Sequence, residues 1–197
     1  AATRDAPFAG GVMGDPHVVT RGGQRYTTQV AGQFEARTGD GGIEIQLQFS
    51  PMAHRTNVSL VSAVAIGTGG STVVYDTQGA LTIDGEMQLR VTDFTQIALD
   101  DGVVLGQWPA GSDGVSTVVV VWPDGGAVLA AADRALGMTV IAHLYPSGKA
   151  SGIFGAENVR SGPDLVTRSG NSVAIAGSVT AAVASWRVLS AGRLLPA

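Results

Sequence analysis

Ile43-Glu44-Ile45-Gln46-Leu47-Gln48-Phe49 alternates apolar and polar residues over seven positions. An extended chain with that period places Ile43, Ile45, Leu47 and Phe49 on one face and the polar residues on the other, which predicts a half-buried strand. The stretch from Leu81 to Val91 alternates on both sides of Asp84-Gly85, a pair that supplies the positive φ of a tight primed turn, and so predicts a hairpin. Further strands are predicted over 17–20, 25–29, 33–37, 58–66, 72–75, 96–99, 103–105, 117–122, 127–131 and 139–145. Turn chemistry separates them, as in Trp122-Pro123-Asp124-Gly125, where proline presets φ and glycine tolerates the left-handed position. Many short strands at such intervals predict an all-β, mostly antiparallel β-sandwich. Only the alanine-rich stretch 178–185, with Ser178 as its cap, predicts a helix, short and close to the C-terminus.

At 197 residues the chain is long enough for one sizeable core, and neither a repeat nor a linker composition divides it. The expected organisation is an extended arm over 1–12, the sandwich over 13–190 and a tail over 191–197. Only 14% of residues are charged while 45% are hydrophobic, which excludes a disordered chain. The basic residues are scattered and the net charge is −4, so the electrostatic footprint of a nucleic-acid partner is missing. No apolar run reaches the roughly 18 residues of a membrane-spanning helix, since the run from Val118 to Trp122 stops at Pro123. The absence of cysteine removes disulfides, thiolate metal sites and thiol catalysis. Ala1-Ala2-Thr3-Arg4-Asp5 has neither the basic nor the apolar region of a signal peptide, and fits what remains after cleavage at a small-residue site.

Gly14-Asp15-Pro16-His17 is followed at short spacings by Thr20, Gly23, Tyr26, Gln29, Gly32 and Phe34. Gly152-Ile153-Phe154-Gly155, Asp164-Leu165 and Ser185-Trp186-Arg187-Val188 follow in order towards the C-terminus. Together these segments make the chain resemble a von Willebrand factor type D domain, in a bacterial, cysteine-free form. Ordered sets of motifs are far more specific than any one of them. The resemblance implies a secreted or cell-surface β-sandwich that builds polymers, gels and surface structures. Its partners would be further copies of the chain, a larger surface assembly, or an extracellular protein or glycan. Two departures from the family matter. Ser151 and Phe154 stand where many members carry cysteines, so any assembly here is noncovalent or uses other chemistry. Gly22 and Ala156 stand where the family often has an Asp and an Asn associated with calcium, leaving Glu157, Asn158 and Asp164 as side-chain candidates. A hard cation needs six to eight oxygen ligands, several of them charged, so weak or absent calcium binding is expected, with an Arg160 ion pair or turn hydrogen bonds holding that loop instead.

The strongest chemical candidate is the Asp15-Pro16 bond. The Asp15 carboxylate can attack its own carbonyl carbon, and the tertiary amide nitrogen of Pro16 leaves once protonated, with His17 as proton donor. The resemblance implies such self-cleavage in some members. The alternative is structural: Gly14 turns the chain, Pro16 leads into the first strand and His17 packs at its edge. That alternative is the expectation here. His54 and His143 stand without a serine motif or a metal-spaced partner, and Asp100-Asp101 suits a turn better than a catalytic pair. Gly67-Thr68-Gly69-Gly70 is expected as a hairpin connection. Trp122 and Trp186 are expected in the core, and Trp108, ahead of Pro109, is the candidate for an exposed carbohydrate platform. The expectation is a structural or adhesive module rather than a turnover enzyme. Self-processing at Asp15-Pro16 and recognition of a glycan or protein are the alternatives.

Overall fold

The computed structural model describes residues 8–39, 42–145, 150–157, 165–173 and 179–196. The strands are β1 (Phe8–Met13), β2 (His17–Val19), β3 (Arg25–Thr27), β4 (Gly32–Arg37), β5 (Glu44–Met52), β6 (Arg55–Gly67) and β7 (Thr72–Asp76). They continue as β8 (Leu81–Ile83), β9 (Glu86–Met87), β10 (Thr95–Ala98), β11 (Val104–Trp108), β12 (Ser116–Val121), β13 (Ala127–Asp133) and β14 (Gly137–Leu144). One helix, α1 (Val179–Ser185), lies near the C-terminus, and Ser178, its expected cap, falls outside the described residues.

Two antiparallel sheets result, an eight-stranded one in the order β10-β11-β12-β13-β14-β1-β2-β3 and a six-stranded one in the order β4-β5-β6-β7-β8-β9. The period-two pattern of β5 works as its sequence dictates: Ile45, Leu47 and Phe49 are fully buried, and Ile43, just before the strand, packs against them. Val64, Ile66, Val73 and Tyr75 line the same inner face of the six-stranded sheet. Opposite them lie Leu105, Val118, Val120, Val128, Ala130, Val140 and Val12 from the eight-stranded sheet. Burying such side chains contributes roughly 1.5–3 kcal/mol each. Asp84 (φ 52°) and Gly85 (φ 84°) form the expected primed turn between β8 and β9. The second arm ends at Met87, short of the expected Val91.

β1 departs from the expected arm. Its residues 8–13 pair with β14 on one side and β2 on the other, well inside the eight-stranded sheet. Residues 1–7 of that arm lie outside the described residues. The C-terminal residues are also held to the sandwich. Gln46 on β5 donates to the carbonyl of Gly192 and accepts from the amide of Leu194 at 2.9 Å, while Gln33 donates to the carbonyl of Pro196 at 2.8 Å. The 186–196 segment thereby lies on the outer face of β4 and β5 and along the free edge of β4, with Glu35 N donating to Trp186 O at 2.9 Å.

Candidate functional site

β6 is 13 residues long, but β7 pairs only with its second half, from Ala63 to Gly67. The amides of Ser59 and Val61, beyond the end of β7, need partners from elsewhere, because a buried donor left unpaired costs free energy. Both partners come from the neighbourhood of Gly14-Asp15-Pro16-His17. Val61 N donates to Gly14 O at 2.9 Å, and Ser59 N donates to Gln29 Oε1 at 2.6 Å. The Nε2 of Gln29 in turn donates to Asp15 Oδ1. Gly14 N donates to Met138 O at 3.0 Å, and Pro16 O accepts from Thr28 N at 3.1 Å. The motif is thus a clasp that ties the eight-stranded sheet to the open edge of β6.

Gly14 is required on two counts. Its φ is +44°, and a Cβ there would lie 2.7 Å from Leu136 O. His17 is exposed, with Nδ1 2.8 Å from Thr27 Oγ1 across the β2–β3 pair. Its hydrogen-bonded nitrogen therefore faces Thr27, and the Asp15 carboxylate is held by Gln29.

The clasp borders a cleft of about 550 Å³, whose wall includes Asp15, His17, Met13, Arg55, Ala131 and Thr139. Through Met13, Ala131 and Thr139 the cleft opens onto the outer face of the eight-stranded sheet. The register defines that face. One row crosses the strands as Val119, Leu129, Ile141, Gly11 and Val19. A second row runs Trp108, Thr117, Ala131, Thr139, Met13 and His17, and a third runs Val104, Val121, Ala127, His143 and Ala9. Ile141 is 50% exposed, Met13 52%, Trp108 42% and Val121 39%. Among the described residues the only formal charges at face positions are Arg25 on the edge strand β3 and Asp133 at the end of β13. Sequence reasoning did not assemble this face. Its signal was the unbroken apolar run of β12, Val118-Val119-Val120-Val121, which has the pattern of a strand covered on both sides.

The remaining candidates fall into place as follows. Glu157 is buried, its carboxylate 2.8 Å from Arg37 Nε with side-chain exposures of 0% and 1%, and its backbone carbonyl accepts from Arg21. A bulge between Glu35 and Arg37 in β4 brings Arg37 opposite Ile45, on the inner side of the sheet. The other calcium candidates, Asn158 and Asp164, lie outside the described residues, as does Arg160. Among the described residues no cluster of three or more His, Cys, Asp or Glu side chains has the form of a metal site. Phe154 is fully buried, and its amide and that of Ile153 donate to Ala36 O and Glu35 O at 3.1 Å along the β4 edge.

Trp122 and Trp186 are buried as expected, the latter donating from Nε1 to Val166 O at 2.7 Å. Trp108 is exposed and stacks on Phe94 with ring centroids 4.5 Å apart, at the β10–β11 end of the outer face. His54 is exposed in the β5–β6 turn, and His143 lies on the outer face. Asp100 and Asp101 form a single turn of 3₁₀ helix, and Thr68 closes the β6–β7 connection by donating from its amide to Ser71 O at 2.9 Å. No helix among the described residues is long and apolar enough to cross a membrane. No protein-family model and no curated protein matches the chain.

Proposed function

We propose that the protein is an exported structural or adhesive module that assembles noncovalently, or attaches to a surface, through the outer face of its eight-stranded sheet. The observation that carries this reading is the contrast between the two outer faces. The six-stranded sheet has β4 and β5 covered by the chain's own C-terminal segment, and the eight-stranded sheet leaves Ile141, Met13, Val121 and Trp108 in water. Contiguous apolar surface of this extent marks an interaction site. The resemblance to von Willebrand factor type D domains points in the same direction, and the lack of cysteine removes disulfides as the means of association.

Surface plasmon resonance tests this reading. The wild-type chain is passed over immobilised layers of the same chain and of a panel of glycans, with Ile141→Asp in parallel. Binding to at least one layer, lost in Ile141→Asp, is the expected result. Absence of binding to every layer, or binding indifferent to Ile141→Asp, would count against it.

A further inference from the structure

We propose that the outer face of the eight-stranded sheet is the interface of a two-fold symmetric dimer, in which a second copy of this chain stacks on the same face. The proposal rests on the assembly reading above and names its partner. Three observations favour a second copy over a different macromolecule.

The first is charge. In an isologous pair each patch meets its own image, so like charges at its centre would oppose each other. This face carries none at its centre: the middle row is Val119, Leu129, Ile141, Gly11 and Val19, and Arg25 and Asp133 sit at the margins. A partner recognised by charge complementarity would find nothing to pair with there.

The second is area and shape. Eight strands span seven spacings of about 4.8 Å, or about 34 Å, and five residues of strand run about 17 Å. Two such faces brought together remove roughly 1,150 Å² from water, above the ~1,000 Å² expected of a specific interface. Small residues at Ala9, Gly11, Gly106, Ala127 and Ala131 keep the surface low. That relief suits the ~10 Å face-to-face spacing of packed sheets.

The third is closure. In an isologous pair each copy's eight-stranded face is used up by the other, and residues 186–196 already lie against the outer face of β4 and β5 in the second sheet. The association stops at two rather than running on as a fibre.

The chain has no cysteine, so one introduced thiol reports its own surroundings without interference. Ile141→Cys places it on the fifth of the eight strands, and Thr180→Cys places it on the exposed side of α1, away from the sheet. Both proteins are treated with a short bis-maleimide cross-linker at matched concentration and resolved under denaturing conditions. The expected result is a covalent dimer from Ile141→Cys and at least about tenfold less from Thr180→Cys; the linker joins at most two single-thiol chains, so closure at two is read from the solution mass of the uncross-linked wild type. Adding the polar replacement Val121→Asp to the Ile141→Cys protein is expected to abolish the cross-link. Equal cross-linking at both positions, none at Ile141, or a wild type that forms species larger than a dimer in solution would overturn the proposal. Loss of the dimer with glycan binding retained in the wild type and lost in Ile141→Asp would overturn this proposal alone and leave the adhesive reading standing.

Discussion

Replacing Glu157 with glutamine tests whether this carboxylate, one of the three calcium candidates, serves Arg37 instead of a metal ion. The Glu157 carboxylate lies 2.8 Å from Arg37 Nε, and neither side chain reaches solvent by more than 1%. Removing one partner of a buried ion pair costs about 3–5 kcal/mol, chiefly because the remaining charge stays buried without compensation. Glutamine keeps the shape and one neutral acceptor, and Arg37 keeps its bond to Ile43 O, so the lower figure, about 3 kcal/mol, applies. With a urea dependence of about 2–3 kcal/mol per molar, the unfolding midpoint should fall by about 1 M. The assay is urea unfolding followed by tryptophan fluorescence, for which Trp122 and Trp186 are well placed in the core. The double replacement Arg37→Met with Glu157→Met removes both charges together and should recover most of the loss. A Glu157→Gln midpoint within about 0.3 M of wild type would show that the ion pair contributes little, and a loss that calcium reverses would show that the carboxylate serves a metal ion; either result refutes the reasoning.

Gly14→Ala forces a side chain into positive φ and to within 2.7 Å of Leu136 O, so it should cost at least about 2 kcal/mol in thermal unfolding, against under about 1 for Asp15→Asn; equal effects would contradict the clasp. The Asp15-Pro16 bond should stay intact at neutral pH by intact mass, whereas recovery of a chain beginning at Pro16, absent in Asp15→Asn, would assign self-processing to the motif. Burial raises the phenol of Tyr75 above its ordinary value of 10.0, against the Ser116 hydrogen bond, with Asp76 adding to the rise. The folded state therefore favours the neutral phenol. Stability should be unaffected below about pH 10 and should fall as pH climbs from the unfolded value towards the raised folded one, a loss that Tyr75→Phe lacks in unfolding curves taken across that window.

Much of the fold was legible because β5 and the β8–β9 hairpin obey local rules. Ile45, Leu47 and Phe49 alternate with polar residues, and Asp84-Gly85 tolerates the positive φ that its turn demands. β1 was not legible. Phe8-Ala9-Gly10-Gly11-Val12-Met13 has two adjacent glycines and no clean alternation, and its place in the sheet comes from pairing with β14, more than a hundred residues away. The chemistry-bearing motif at 14–17 was visible, yet its use as a clasp was not. That use depends on β7 ending short of β6, a mismatch of strand lengths that no local pattern encodes. The sequence predicts Arg37 as an ordinary end of a strand, and only the bulge beside it turns the guanidinium inward to Glu157. The outer face went unread for a related reason. The valines of β12 gave the pattern of burial on both sides, but the cross-strand rows that join them to Leu129 and Ile141 exist only once register is fixed.

Sedimentation equilibrium over a wide concentration range, on the wild type and Ile141→Asp under identical conditions, tests the central claim most directly. The account predicts a reversible, concentration-dependent wild-type species at twice the 20.0 kDa chain mass and an Ile141→Asp variant that remains at 20.0 kDa. A wild type that stays at 20.0 kDa throughout, or a variant that pairs as well as the wild type, would contradict it.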